Sequence, residues 1–254
     1  ENMVHQMKTP LTAMRLDLDL METKLSGGQE PWSREAGRQI RDSFLKKLED
    51  CQEQCGRLQE NVDEFLAAGR LAAGKMKLVL KAARMEDIVR GALEEVAPVL
   101  EKRGICVSFS SESAQHLYCD YNWLKAAVAN VLKNSAESMG AGEAEEMKAA
   151  GAAGEAGGRI EIRHWDAGKW KYLEITDEGG GVSEESGRHL FERFYSGRQG
   201  KGGTGLGLAI AREVVEACHG TICASSVSGR GGRRDGTRFR MKFRLLSGPE
   251  AYEE

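Results

Sequence analysis

The sequence predicts an α+β chain in two parts, a helical segment over residues 1–70 and a mixed sheet-and-helix segment over residues 71–254. Two observations carry this. Apolar residues through the first part recur at alternating spacings of three and four, the signature of a coiled-coil seam. Beyond residue 77 the repeat stops, and short alternating runs bounded by glycine alternate with three stretches of helical period.

The first stripe is Val4, Met7, Leu11, Met14, Leu18, Met21 and Leu25. Gly27, Gly28 and Pro31 then break the helix. A second stripe follows at Phe44, Leu48, Cys51, Cys55, Leu58, Val62 and Phe65. Two such helices form an antiparallel hairpin. A hairpin alone leaves apolar positions uncovered, so the pattern predicts pairing with a second copy into a four-helix bundle through residues 1–70.

The domain boundary falls in Gly69–Lys77. A strand is expected over Leu78–Ala82, a helix over Met85–Lys102, strands over Ile105–Ser110 and His116–Cys119, and a helix over Tyr121–Met139. The Ala/Gly/Glu-rich stretch Gly140–Gly158 reads as a flexible insertion. Strands Arg159–Trp165 and Lys171–Thr176 lead into a glycine-interrupted region that ends at Thr204. A helix is expected from Gly205 to His219-Gly220, then strands Thr221–Ser225 and Thr237–Leu245. In the last strand Phe239, Met241 and Phe243 alternate with Arg238, Arg240, Lys242 and Arg244, which predicts a sheet with one covered face.

The net charge of −3 and pI near 6.1 give no reason to expect a nucleic-acid partner or attraction to an acidic membrane. Arg230, Arg233 and Arg234 sit among glycines and read as a solvated hairpin turn. No apolar run approaches the roughly 20 residues of a membrane helix, and no signal peptide is visible. The six cysteines have neither zinc-finger spacing nor a secreted framework, which fits a reduced, cytosolic setting. Cys51 and Cys55 read as small core residues. The helical pattern is already under way at the first residues, so the chain is expected to be a piece of something longer.

Five groups of residues carry chemistry. His5 lies on the flank of the first stripe, one place after Val4, with Thr9 on the same helix face and Pro10 bending the helix. A neutral imidazole has a free lone pair and can act as a nucleophile; an ordinary surface histidine would fit the position as well. Asn130 and Asn134 share a helix face, where they could offer amide oxygens to a hard cation or bond locally. Asp177-Glu178-Gly179-Gly180-Gly181 ends a strand with a carboxylate beside glycines that admit a close ligand, or is a turn. Phe191-Glu192-Arg193-Phe194-Tyr195 is an aromatic cluster. Gly203-Thr204-Gly205-Leu206-Gly207 opens a helix, where free N–H groups suit phosphate. It follows no predicted strand, unlike a dinucleotide-binding turn, and it lacks a Walker lysine.

In this order the five groups, with Asp120 joining Asn130 and Asn134, resemble the H-box, N-box, D-x-G-x-G motif, F-box and glycine-rich loop of two-component sensor histidine kinases, over essentially the whole chain. The resemblance implies a Bergerat-type α/β sandwich of the GHKL superfamily joined to a dimerising phosphotransfer hairpin. It implies that His5 accepts phosphate from ATP, that Asn134 ligates Mg²⁺, and that Asp177, with Gly179 and Gly181, binds adenine. Asn130, Phe191, Phe194, Gly203, Thr204, Gly205, Leu206 and Gly207 complete the nucleotide site, with Phe191 and Phe194 in a mobile lid. Phosphohistidine would pass its group to an aspartate on a response regulator receiver domain. Thr9 would position water for dephosphorylating that regulator. This fragment would be cytoplasmic, without membrane contact, and the full-length protein anchored in the cell membrane.

The chain departs from the commoner pattern at Gln6, where many members have an acidic residue after the histidine. Glutamine can orient the ring but cannot take a proton. GHKL ATPases that hydrolyse ATP carry a glutamate base four residues before the metal-binding asparagine. Asn130 stands there instead, which favours transfer to a separate nucleophile over hydrolysis.

Overall fold

A computed structural model describes residues 2–26, 34–72, 78–113, 115–139, 157–195, 204–228 and 235–245. The Gly27–Pro31 break, most of the 140–158 insertion and the Arg230–Arg234 cluster lie outside the described residues. The chain divides into two compact units, one built on the first two helices and the other on all the strands and the remaining helices.

In the first unit, α1 is Asn2–Ser26 and α2 is Arg34–Ala72. Lys47 Nζ is 2.5 Å from Asp17 Oδ1, and Cys51 and Cys55 reach Met14. Contacts that move forward along one helix while moving backward along the other make the pair antiparallel. Met14 and Met21 of the first stripe are half-buried, while Leu11 and Leu18 are 50% and 55% exposed. On α2, Cys51, Leu58 and Val62 are half-buried, and Leu48 and Phe65 are exposed. Each stripe is therefore only partly covered within one chain.

The second unit opens with β1 (Lys81–Arg84) and α3 (Met85–Arg103). The sequence predicted the strand at Leu78–Ala82; pairing with β3 (His116–Cys119) places it three residues later, with Lys81 opposite Cys119. Helix α3 has Glu86 and Asp87 in its first turn and Lys102 and Arg103 in its last, the charge order that suits its dipole. It stops at Gly104, whose φ of 64° needs no Cβ. After β2 (Cys106–Ser111) and β3 comes α4 (Tyr121–Ser138), capped by Asp120. One Asp120 oxygen accepts from the N–H groups of Asn122 and Trp123, and the other from Val79.

Strands β4 (Arg159–Ala167) and β5 (Trp170–Asp177) follow, then α5 (Glu184–His189) and α6 (Gly207–Ala217). Strands β6 (Gly220–Val227) and β7 (Gly236–Arg244) close the unit. The main sheet has the order β2-β4-β5-β7-β6, parallel only between β2 and β4. Helix α5 was not expected from the sequence. Its start is capped by Ser183, whose hydroxyl accepts from Ser186 N at 3.0 Å.

Alternation along the strands places Ile160, Ile162, Leu173, Ile175, Phe239, Met241 and Phe243 on one buried face. The apolar faces of α3, α4 and α6 supply Ile88, Val89, Leu124, Val128, Ala211 and Val214 to the same core, and α4 packs against both α3 and α6. The covered-face expectation for β7 holds. The opposite face carries cations over aromatic rings, with Lys242 Nζ 3.9 Å from the Trp170 ring centre and Trp165 stacked on Tyr172.

Candidate functional site

Asp177 is the last residue of β5 and is 1% exposed. Its Oδ1 accepts from Gly179 N and Thr237 N, both at 3.0 Å. Its Oδ2 is buried and has no hydrogen-bond partner among the described residues. Burial pushes the carboxyl above its ordinary value. The Ser135 hydroxyl of α4 and the N–H groups of Thr237 and Gly179 pull the other way. Ser135 does not reach hydrogen-bond geometry, since its Oγ is also buried without a partner. A buried acceptor with one unused oxygen is costly unless something donates to it. An aromatic amine is such a donor.

Glycines enclose this carboxylate because nothing larger fits. A Cβ at Gly236 would lie 1.6 Å from the Asp177 carbonyl oxygen, and one at Gly179 would lie 1.8 Å from Ser138 Oγ. Gly181 has a φ of 78°, and its loop is tied to β6 where Ser226 Oγ accepts from Val182 N at 2.9 Å. Sequence reasoning found Gly179 and Gly181 but missed Gly236, Thr237 and Ser226. A glycine opening a strand, as Gly236 does, signals a close backbone approach and could have found them.

The glycine-rich segment leads into α6 as expected, although the helix begins at Gly207, not Gly205. Leu206, at its N-cap position, provides no side-chain cap, and a helix start of this kind can present backbone N–H groups to an anion. Gly205 has a φ of 68°, and a Cβ there would lie 2.7 Å from the Phe194 backbone. Thr204 is half-buried, and Gly203 lies outside the described residues.

The aromatic cluster is joined to this loop. Phe194 N donates to Gly205 O at 2.9 Å, and Phe194 itself takes a φ of 66° and is 44% exposed. Phe191 is buried edge-on against Phe239. Arg193, which the sequence did not single out, holds Glu213 of α6 through two nitrogens at 2.9 and 2.6 Å.

Asn130 and Asn134 lie on α4, both half-buried. Asn130 Nδ2 donates to Gly207 O at 3.2 Å, so its amide fixes the start of α6. Asn134 makes no side-chain hydrogen bond among the described residues, and its amide oxygen can serve a cation. Those residues hold no cluster of three or more His, Cys, Asp or Glu. A cation here therefore fits only if a ligand's own oxygens and water complete its shell, as Mg²⁺ on phosphates does. His5, Gln6 and Thr9 lie within α1, but their side chains are outside the described residues.

The family of histidine kinase-, DNA gyrase B- and HSP90-like ATPases matches residues 119–247, just over half of the 254-residue chain. The chain belongs to this ATPase family. The matched span takes in α4, the Asp177 loop and the start of α6, so the candidate site around Asp177 lies within it. The alginate biosynthesis sensor protein KinB of Pseudomonas aeruginosa is 24% identical over 230 residues, 90% of this chain and 34% of KinB. The signal transduction histidine-protein kinase/phosphatase MprB of Mycobacterium avium is 27% identical over 92% of this chain and 40% of MprB. The chain thus spans between a third and a half of the length of these curated relatives.

The ATPase fold also recurs in solved structures. Acinetobacter baumannii histidine kinase AdeS superposes with a TM-score of 0.61 at 19% identity, covering 95% of this chain and 98% of AdeS. Histidine kinase ThkA in complex with response regulator protein TrrA gives a TM-score of 0.59 at 15% identity, over 96% of this chain and 60% of that one.

Proposed function

We propose that this chain is the catalytic core of a sensor histidine kinase, in which ATP bound by residues 71–254 phosphorylates His5 in the dimerising segment 1–70. The observation that carries the reading is Asp177, a buried carboxylate with one unused oxygen, enclosed by glycines within a family of ATPases. Its free oxygen accepts the adenine amine. The uncapped start of α6 receives the phosphates, with Asn130 holding that start in place. Mg²⁺ on Asn134 would neutralise phosphate charge. Phe191 and Phe194 belong to the lid over the nucleotide.

His5 attacks the γ-phosphorus. A nitrogen–phosphorus bond forms, the bond to the ADP oxygen breaks, and the proton on the other ring nitrogen leaves. Positioning and charge neutralisation supply most of the rate. Gln6 orients the ring. Hydrolysis by activated water is disfavoured because Asn130 stands where a base would act, and its amide donates to Gly207 O.

The group then passes to an aspartate of a response regulator receiver domain. The complex of ThkA with TrrA supports that partner class, and the name of MprB, a kinase/phosphatase, supports hydrolysis of the regulator's phosphate as a second activity, in which Thr9 would position the water. Exposure of Leu11, Leu18, Leu48 and Phe65 supports a homodimer that closes into a four-helix bundle. The resemblance further implies a cytoplasmic core on a membrane-anchored protein. The test is incubation with γ-labelled ATP and Mg²⁺. Acid-labile, base-stable label on the protein supports the proposal, and steady release of inorganic phosphate with no such label refutes it.

A further inference from the structure

Two thiols and a thioether meet between α1 and α2. Cys51 and Cys55 are four apart on α2, so they share one face of the helix. Met14 of α1 faces them, with its Sδ 3.2 Å from Cys55 Sγ and its carbonyl oxygen 3.9 Å from Cys51 Sγ. Neither cysteine is in a disulfide; within one chain Cys51 is half-buried and Cys55 exposed.

We propose that Cys51 Sγ, Cys55 Sγ and Met14 Sδ form a binding site for a soft monovalent metal ion, Cu(I). Thiolate and thioether ligands select Cu(I) over the harder divalent ions. A zinc site would want a further His, Cys or carboxylate, and the described residues hold no such cluster. Binding forms two copper–thiolate bonds and one copper–thioether bond and releases two thiol protons. The resulting unit carries one negative charge. Lys47, one turn before Cys51, is paired with Asp17 at 2.5 Å, so this pair brings no net charge to the site. Metal binding displaces both thiol protons, so binding is proton-linked. Because the ligands come from both helices, the metal clamps α1 to α2. All three ligands come from one chain, so the site does not rest on the kinase reading.

The test uses the full chain with the exposed Cys106 and Cys223 changed to serine, titrated anaerobically with Cu(I) against bathocuproine disulfonate. The expected result is one Cu(I) per chain, with an ultraviolet thiolate-to-copper band and three sulfur scatterers in X-ray absorption. Below the thiol pKa values affinity should rise about a hundredfold per pH unit, the slope for two released protons. Cys51→Ser or Cys55→Ser should reduce that slope to about tenfold per unit. Met14→Leu should keep the slope, lower the affinity and remove one sulfur scatterer. Circular dichroism confirms that each variant keeps its helices. Unchanged affinity and slope in both cysteine variants, or no stoichiometric binding in the parent, would overturn the assignment.

Discussion

Replacing Asp177 with asparagine separates nucleotide recognition from folding. In the folded protein Oδ1 holds Gly179 N and Thr237 N, while Oδ2 has no partner. An asparagine keeps its carbonyl oxygen on those two donors, which forces its NH₂ into the Oδ2 position. That group faces the adenine amine donor to donor. The lost bond is charge-assisted and worth about 1.5–3 kcal/mol, so ATP affinity should fall about ten- to 150-fold. Stability should hold or rise, because both Oδ1 bonds survive and a buried charge is removed. Inosine triphosphate, with an acceptor in place of the amine, should regain ground against ATP in the variant. The raised pKa adds a pH signature. Relative to an ordinary carboxyl at 3.8, the ionised form is disfavoured in the fold, so this group's contribution to stability is greatest below 3.8 and is lost as pH rises through the raised value. Nucleotide affinity runs the opposite way and falls when acid protonates the acceptor; Asp177→Asn should abolish that fall. Calorimetry with ATP and inosine triphosphate, alongside urea unfolding, reads both effects. ATP affinity within twofold of wild type in a folded Asp177→Asn protein would show that Asp177 does not hold the adenine amine.

Asn134→Ala should weaken ATP binding only when Mg²⁺ is present, whereas Asn130→Ala should weaken it with or without Mg²⁺. The latter loses one bond to Gly207 O, about 1 kcal/mol or fivefold; paired calorimetric titrations distinguish the two. His164 is buried with neither ring nitrogen partnered among the described residues, and burial and then Lys171 depress its pKa below 6.5, against the opposing pull of Asp166, Glu86 and Glu112. As pH falls from 6.5 toward that depressed value, only the unfolded chain takes the proton, so stability is lost over that interval. His164→Leu should flatten the difference between urea midpoints at neutral and mildly acidic pH. Asp120→Ala removes the acceptor of Asn122, Trp123 and Val79 N–H groups and should cost about 1–3 kcal/mol in urea unfolding.

Local period made much of this legible. The helices at Met85 and Tyr121 begin where the sequence places them, and the alternation of β7 gave its buried face. The Asp177 loop and the glycine-rich start of α6 were legible because backbone conformations that need glycine leave a mark in sequence. Partners brought together by the fold were not. Strand β1 lies three residues later than expected because β3 sets its register. Lys171, fully buried on β5, looks like an ordinary surface lysine; only the fold brings Asp166 Oδ1 to 2.8 Å and Ser113 Oγ to 2.6 Å of its Nζ. Helix α5, at six residues, is too short to show a period and depends on its Ser183 cap. The role of Asn130 in fixing Gly207 needs a contact across 77 residues.

The central claim is that His5 receives the phosphate of ATP held beside Asp177. The most direct measurement is mass-spectrometric mapping after incubation with ATP and Mg²⁺, using fragmentation that preserves phosphohistidine. Wild type should carry the phosphate on the peptide containing His5, and His5→Ala should carry none while binding ATP with unchanged affinity. Phosphate mapped to any other residue, or undiminished acid-labile phosphate in His5→Ala, would contradict the account.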